Sequence, residues 1–245
     1  MQDIHMLLRQ HRSIRSFSNE HVTDDDVEDI VISAQCASTS SHIQATTVIR
    51  VRDTDSLKQI AEAANNQRQI TEAPVFLVWC ADMHRIGLAC EMAEGDMISG
   101  MTEQFISTTV DVALAAQNAV IAAEGMGLGV CYIGAIRNNP QVVTEILELP
   151  KHVYPVFGLC IGHPAEDPET KPRLPVKLIL KEERYDDHND RELIADYDET
   201  MNNYYQKRTN TKKVSTWSKE MARRYESERR PHMRDFLRNR GFEMR

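Results

Sequence analysis

The chain has 245 residues, 41% of them hydrophobic and 27% charged, with a formal net charge of −8 at pH 7. That length suffices for a sizeable core, and the negative balance argues against a general binder of nucleic acid or anionic membrane. The charge is uneven: residues 201–245 carry 13 Lys/Arg against 5 Asp/Glu, a tail of +8 on a body of −16.

The opening "MQDIHMLLRQ" has no leader-like apolar run, and no stretch reads as long enough to span a bilayer. Just after it, "HRSIRSF" (11–17) sets His11, Arg12 and Arg15 within five positions. Such charges repel one another, so acidic neighbours, solvent or a bound anion must offset the cost. Taken alone, a solvated basic turn is the simpler reading and a phosphate site the alternative.

"TDDDVEDIVISAQCA" predicts a helix capped by Thr23, with Val27, Ile30, Val31 and Ala34 inward. A polar loop, "STSSH" (38–42), leads to a strand at 46–51, and a helix at 55–64 follows. The apolar run "PVFLVWCA" (74–81) suits a strand covered on both faces. From Val110 to Ala123 the chain is apolar on nearly every side, as in a helix at the middle of the core. Gly125, Gly127 and Gly129 stop that helix, "VCYIGAI" (130–136) makes another strand, and Asn139 and Pro140 open a helix. "VFGLCIG" (156–162) is a further strand, followed by the Pro-rich "HPAEDPETKPRLP" and polar helices to the end. The fold class is α+β.

Most familiar sites are missing. "GMGLG" follows a helix instead of a strand, so it is no nucleotide loop; there is no G-x-S-x-G or Walker sequence, and no His, Cys or carboxylate group has metal-ligand spacing. The five cysteines (36, 80, 90, 131, 160) form no C-x-x-C pair and read as reduced thiols of a cytosolic protein. An enzyme made of this chain borrows its chemistry from a cofactor. In "KPRLP" the prolines favour an extended backbone, which puts Lys171 and Arg173 on one side as a second basic pair. Sequence distance alone does not show whether the two basic clusters meet.

"HRSIRSF", "QCASTSSHIQATTVI", "AQNAVIAAEGMGLGVCYIGAIRNNP", "LPKHVYPVFGLCIGHPAEDPETKPRLP" and the tail "WSKE…RRPHMRDFL" together resemble the FMN-dependent nitroreductase superfamily, in order and through almost the whole chain. The group most resembled is the NADPH-dependent oxygen-insensitive nitroreductases and flavin reductases. The resemblance implies one domain over residues 1–245, with a mixed or antiparallel sheet, a buried central helix and a helical extension (175–245) wrapping the partner of a homodimer. It implies bound FMN at the dimer interface, NADPH as hydride donor, and ping-pong transfer to nitroaromatics, quinones, chromate-like oxidants or free flavin. No metal and no catalytic acid–base pair are expected.

Carried over position by position, His11, Arg12, Ser13 and Arg15 match the N-terminal FMN motif, and Lys171 and Arg173 its phosphate pair. Ser38, Thr39, Gln67, Tyr132, Ile133 and Gly134 match flavin contacts, Thr39 standing where Ser is usual. Ser41, His42 and Ile43 match the loop over the open flavin face, with Arg230 opposite and His42 replacing a frequent aromatic. Arg208 matches the position credited with the 2′-phosphate of NADPH. The competing expectations are a flavin carrier with little turnover and a flavin-fragmenting or dehalogenating member of the superfamily.

Overall fold

A computed structural model of the chain describes residues 3–208 and 213–245. They form two compact units, residues 3–167 with 230–245, and residues 168–208 with 213–229.

The first unit is built on four strands, β1 (Thr46–Val51), β2 (Val75–Asp82), β3 (Gly129–Ile133) and β4 (Val153–Gly162). They make one sheet in the order β1-β2-β4-β3, antiparallel throughout. The two inner strands explain the apolar runs. Val75, Leu77 and Trp79 face a cluster shared with the helices Asp24–Gln35 and Thr102–Gly125, while Phe76, Val78 and Cys80 face one shared with the helix Thr54–Ala63. Every β2 residue is therefore buried.

The local signals hold where they are strong. Thr23 caps its helix and forms a reciprocal capping box with Asp26, and Val27, Ile30 and Ala34 are the buried face. Asn139 stands at the N-cap of Pro140–Ile146, but its side chain makes no capping bond. Two strand limits differ from expectation. After Ile133 the chain turns into a 3-10 segment, Gly134–Asn138. At the other limit β4 begins at Val153, ahead of Pro155, because a register shift opposite Trp79/Cys80 takes up the proline. The Arg137 guanidinium donates to the Val156 carbonyl at this irregularity.

The central helix Thr102–Gly125 corrects two expectations. It is long and apolar enough to cross a membrane by length and composition, and its apolar surface is not all enclosed within the subunit. Val112, Ala115, Ala116, Ala119, Val120 and Ala123 pack inward, whereas Ile106, Val110 and Leu114 are 44–50% exposed. The inward face lies on the core cluster, and buried Asp111 sits at mid-helix. Gly127 follows this helix with φ +81°, the left-handed conformation that suits a helix stop.

The second unit pairs the helices Asp190–Lys207 and Trp217–Tyr225 around Tyr197, Met201 and Tyr205. The Tyr197 hydroxyl donates to the Pro172 carbonyl at 2.8 Å, which anchors the extended "KPRLP" segment.

Candidate functional site

The basic motif is an extended strip docked on the edge of the sheet. Ile14 N–H donates to Val130 O at 2.9 Å on β3, Ser18 N–H to His163 O at 2.9 Å, and Ala165 N–H to Ser16 O at 3.0 Å. A cross-strand glycine pair, Gly129 opposite Gly162, makes room for it. A Cβ on Gly129 would lie 2.7–3.0 Å from the Ile14 side chain, and one on Gly162 would lie 2.9 Å from Phe17 and 2.6 Å from Pro74. Gly129→Ala should therefore expel Ile14 from its buried place and destabilise the subunit by about 1–3 kcal/mol. Denaturant unfolding measures the loss, and faster exchange of the Ile14 amide would show the strip lifting.

Acidic neighbours offset the clustered charge. His11 Nδ1 lies 2.7 Å from Glu124 Oε1 at the end of the central helix. Arg12 donates to Gln10 O at 3.1 Å and pairs with Asp167. Arg15 presents its guanidinium at the surface, and its backbone N–H donates to Glu166 Oε1 at 2.6 Å. One donor is left over: among the described residues Arg12 Nε is buried without a hydrogen-bond partner, beside a cavity of about 240 Å³ lined by Leu7, Gln10, Ile14, Glu124 and Leu128. A buried guanidinium donor left unmet costs free energy that an anionic acceptor would recover.

Tyr132, Ile133 and Gly134 lie on β3 and the turn after it, with Arg230 beside that turn. Tyr132 is half-buried with its ring 5.0 Å from Phe157, and burial raises its phenol well above the ordinary value. Ile133 is buried, and a Cβ on Gly134 would come within 3.2 Å of the Arg137 guanidinium. Arg230 donates to Asn138 Oδ1 at 2.8 Å, next to the turn that follows β3. Gln67 accepts from Gln69 Nε2 at 2.8 Å and lies in the connection to β2, whose preceding Pro74 meets Gly162.

The loop Ser38–Ile43 is elsewhere. It leads into the start of β1, where Thr46 pairs with Ala81 and Ala81 with Tyr154. Ser13 bridges Val130, which pairs with Ile161 at the far end of β4. Loop and strip thus occupy diagonal corners of the sheet, roughly 20 Å or more apart by strand spacing and rise. The loop is held from below by Asp111, which accepts the Thr39 hydroxyl, Ser40 N–H at 3.0 Å and Ala45 N–H at 3.3 Å. Ser41, His42 and Gln44 all have φ between +47° and +58°, a strained conformation for residues with side chains. Asp111, which holds this loop, is a residue that sequence reasoning missed, although a lone acid in an apolar stretch was its signal.

In the second unit Lys171 and Arg173 are exposed while Pro172 and Leu174 turn inward, the expected alternation. Lys171, Arg208 and Lys213 surround the Tyr205 ring at 5.5, 5.6 and 4.4 Å from its centroid. This brings together Lys171 and Arg208, expected at different phosphates. Glu220 accepts from Lys213 and Ser215, which hold its carboxyl down at about 2. A cavity of about 340 Å³ adjoins them, lined by Lys171, Tyr205, Trp217, Arg223, Arg224 and Arg229. Asp186, Asp187 and His188 bring possible metal ligands within 4.8 Å, a grouping not expected from the sequence; all three are exposed. Among the described residues the cysteines are free, with Cys80, Cys131 and Cys160 buried.

Residues 8–163 match the nitroreductase family and residues 171–245 the nitroreductase family C-terminal domain. The chain belongs to the nitroreductase family. It is 42% identical to the FMN reductase (NADPH) of Bacillus subtilis, over 95% of either chain. It is 41% identical to the oxygen-insensitive NADPH nitroreductase of Salmonella typhimurium, over 98% of either. The solved structure of B. megaterium NfrA1 superimposes with a TM-score of 0.95 at 41% identity, covering 99% of this chain and 100% of that one.

Proposed function

We propose that this chain is an NADPH-dependent oxidoreductase working through bound FMN, in a cytosolic homodimer whose two copies complete each site. The observation that carries the reading is the docked strip with its unmet buried donor, Arg12 Nε. The donor set fits FMN. Arg12, Ser13 and Arg15 offer charged and hydroxyl donors to the phosphate and ring, and Gly134, just past the end of β3, carries no side chain to block a flat ring; by family resemblance Lys171 and Arg173, in the second unit, serve the same phosphate as a point charge and a guanidinium fork. When bound, FMN supplies two-electron chemistry, taking hydride from NADPH and passing it to an acceptor.

The residues of this chain bind, orient and balance charge around that chemistry. Arg15 provides positive charge where reduction adds negative charge, and Arg230, fixed on Asn138, offers a cation beside the β3 turn. His42 and Ile43 belong over the flavin of the other copy, because the diagonal placement of their loop keeps them from the strip of their own subunit. The apolar stripe Ile106, Val110 and Leu114 offers the surface for that second copy. Nitroaromatics, quinones, chromate-like oxidants and free flavin are the acceptor classes. Purified protein should be a yellow dimer with about one FMN per subunit; a colourless monomer that does not take up FMN would refute the reading.

Arg208 sets the preference for NADPH over NADH. The two nucleotides differ by one phosphate, and a direct Arg–phosphate contact distinguishes them better than the diffuse field of the tail, which salt screens over roughly 8 Å. Arg208→Ala should raise KM for NADPH about tenfold, near 1.4 kcal/mol, and leave NADH kinetics almost unchanged. Equal losses with both nucleotides would contradict it. No loss with either would pass the role to Lys207 or Lys213; Lys212 lies outside the described residues.

A further inference from the structure

The segment after β4 holds the basic strip in place. Glu166 Oε1 accepts two consecutive backbone N–H groups, from Arg15 at 2.6 Å and from Ser16 at 3.1 Å. The ladder-type bonds of the strip use the N–H of Ile14 and Ser18 and the carbonyl of Ser16, and Glu166 meets two of the three donors between them. Two adjacent N–H groups converging on one oxygen form an anion-holding concavity. The same carboxylate also places negative charge beside Arg15. Its neighbour Asp167 pairs with the Arg12 guanidinium. The donors of the strip are thus set by a carboxylate distant in sequence, and pre-set donors lower the ordering cost of binding a ligand.

We propose that Glu166 is the positioning residue of the FMN motif: by holding the Arg15–Ser16 backbone it presets the Arg12, Ser13 and Arg15 donors. This rests on the FMN reading above. Apoprotein titrated with FMN tests both, by quenching of flavin fluorescence. Wild-type apoprotein that binds no FMN overturns the cofactor reading and this role with it. Given wild-type binding, Glu166→Ala should weaken FMN affinity about tenfold or more. Glu166→Gln, which keeps an acceptor oxygen, should recover most of the loss. Amide exchange at Arg15 and Ser16 should accelerate in the Ala variant while the β2 and β4 amides stay protected. Unchanged FMN affinity in Glu166→Ala overturns the proposal, as does a Gln variant no better than Ala. Exchange accelerated throughout the sheet also overturns it, because Glu166 would then serve the fold as a whole.

Discussion

Replacing Asp111 by Ala is expected to lower the stability of the subunit by about 3–4 kcal/mol, a large effect for a single substitution. Asp111 is 3% exposed and its carboxylate meets three donors of the 39–45 loop: the Thr39 hydroxyl and the Ser40 and Ala45 N–H groups. Thr39 in turn accepts Gln44 N–H at 2.9 Å, so one acid organises the whole turn. Each left-handed residue in it costs on the order of 1 kcal/mol, and without the carboxylate nothing on the helix offsets that strain. Water reaching the opened loop would recover part of the loss, which keeps the figure below the sum of three charged bonds. For a chain of this size the melting temperature should drop by roughly 6–12 °C. Asp111→Asn keeps one acceptor oxygen and should lose about half as much. Calorimetry gives the drop, and amide exchange at Ser40 and Ala45 locates it. An Ala variant that melts with the wild type would show that the loop is held by other contacts.

Arg12→Ala or Arg173→Ala should weaken FMN binding by about 1.5–3 kcal/mol, the scale of a charge-assisted hydrogen bond. The discriminating ligand is riboflavin, which lacks the phosphate and should bind variant and wild type almost equally. The Arg12–Asp167 pair makes the comparison necessary, because removing Arg12 also strands that carboxylate and could loosen the strip. If riboflavin affinity falls as far as FMN affinity, the arginines hold the chain and not the phosphate.

Local chemistry carries most of what is legible in the sequence. The Thr23 cap, the doubly covered β2 and the alternation through "KPRLP" follow from nearest-neighbour rules, and the family resemblance supplies the proposed flavin motif. What escapes depends on contacts between distant residues. "GMGLG" reads as a helix stop, which Gly127 is; Gly129 has a second task, admitting Ile14, visible only once β3 and the strip are side by side. Glu166 sits in an unremarkable acidic pair, and its two bonds to the Arg15–Ser16 backbone cross about 150 positions of sequence. The apolar helix reads as enclosed because periodicity does not say what covers a second apolar face. Nor does any motif reveal that the Ser38–Ile43 loop and the strip lie at diagonal corners, since that follows from the β1-β2-β4-β3 strand order.

Anaerobic mixing of the purified protein with NADPH shows whether it turns over through bound flavin. The flavin absorbance near the visible maximum should disappear rapidly and recover fully when a quinone or nitroaromatic is added, since the same site serves donor and acceptor in turn. Flavin that stays oxidised in excess NADPH would contradict such turnover and mark the protein as a carrier.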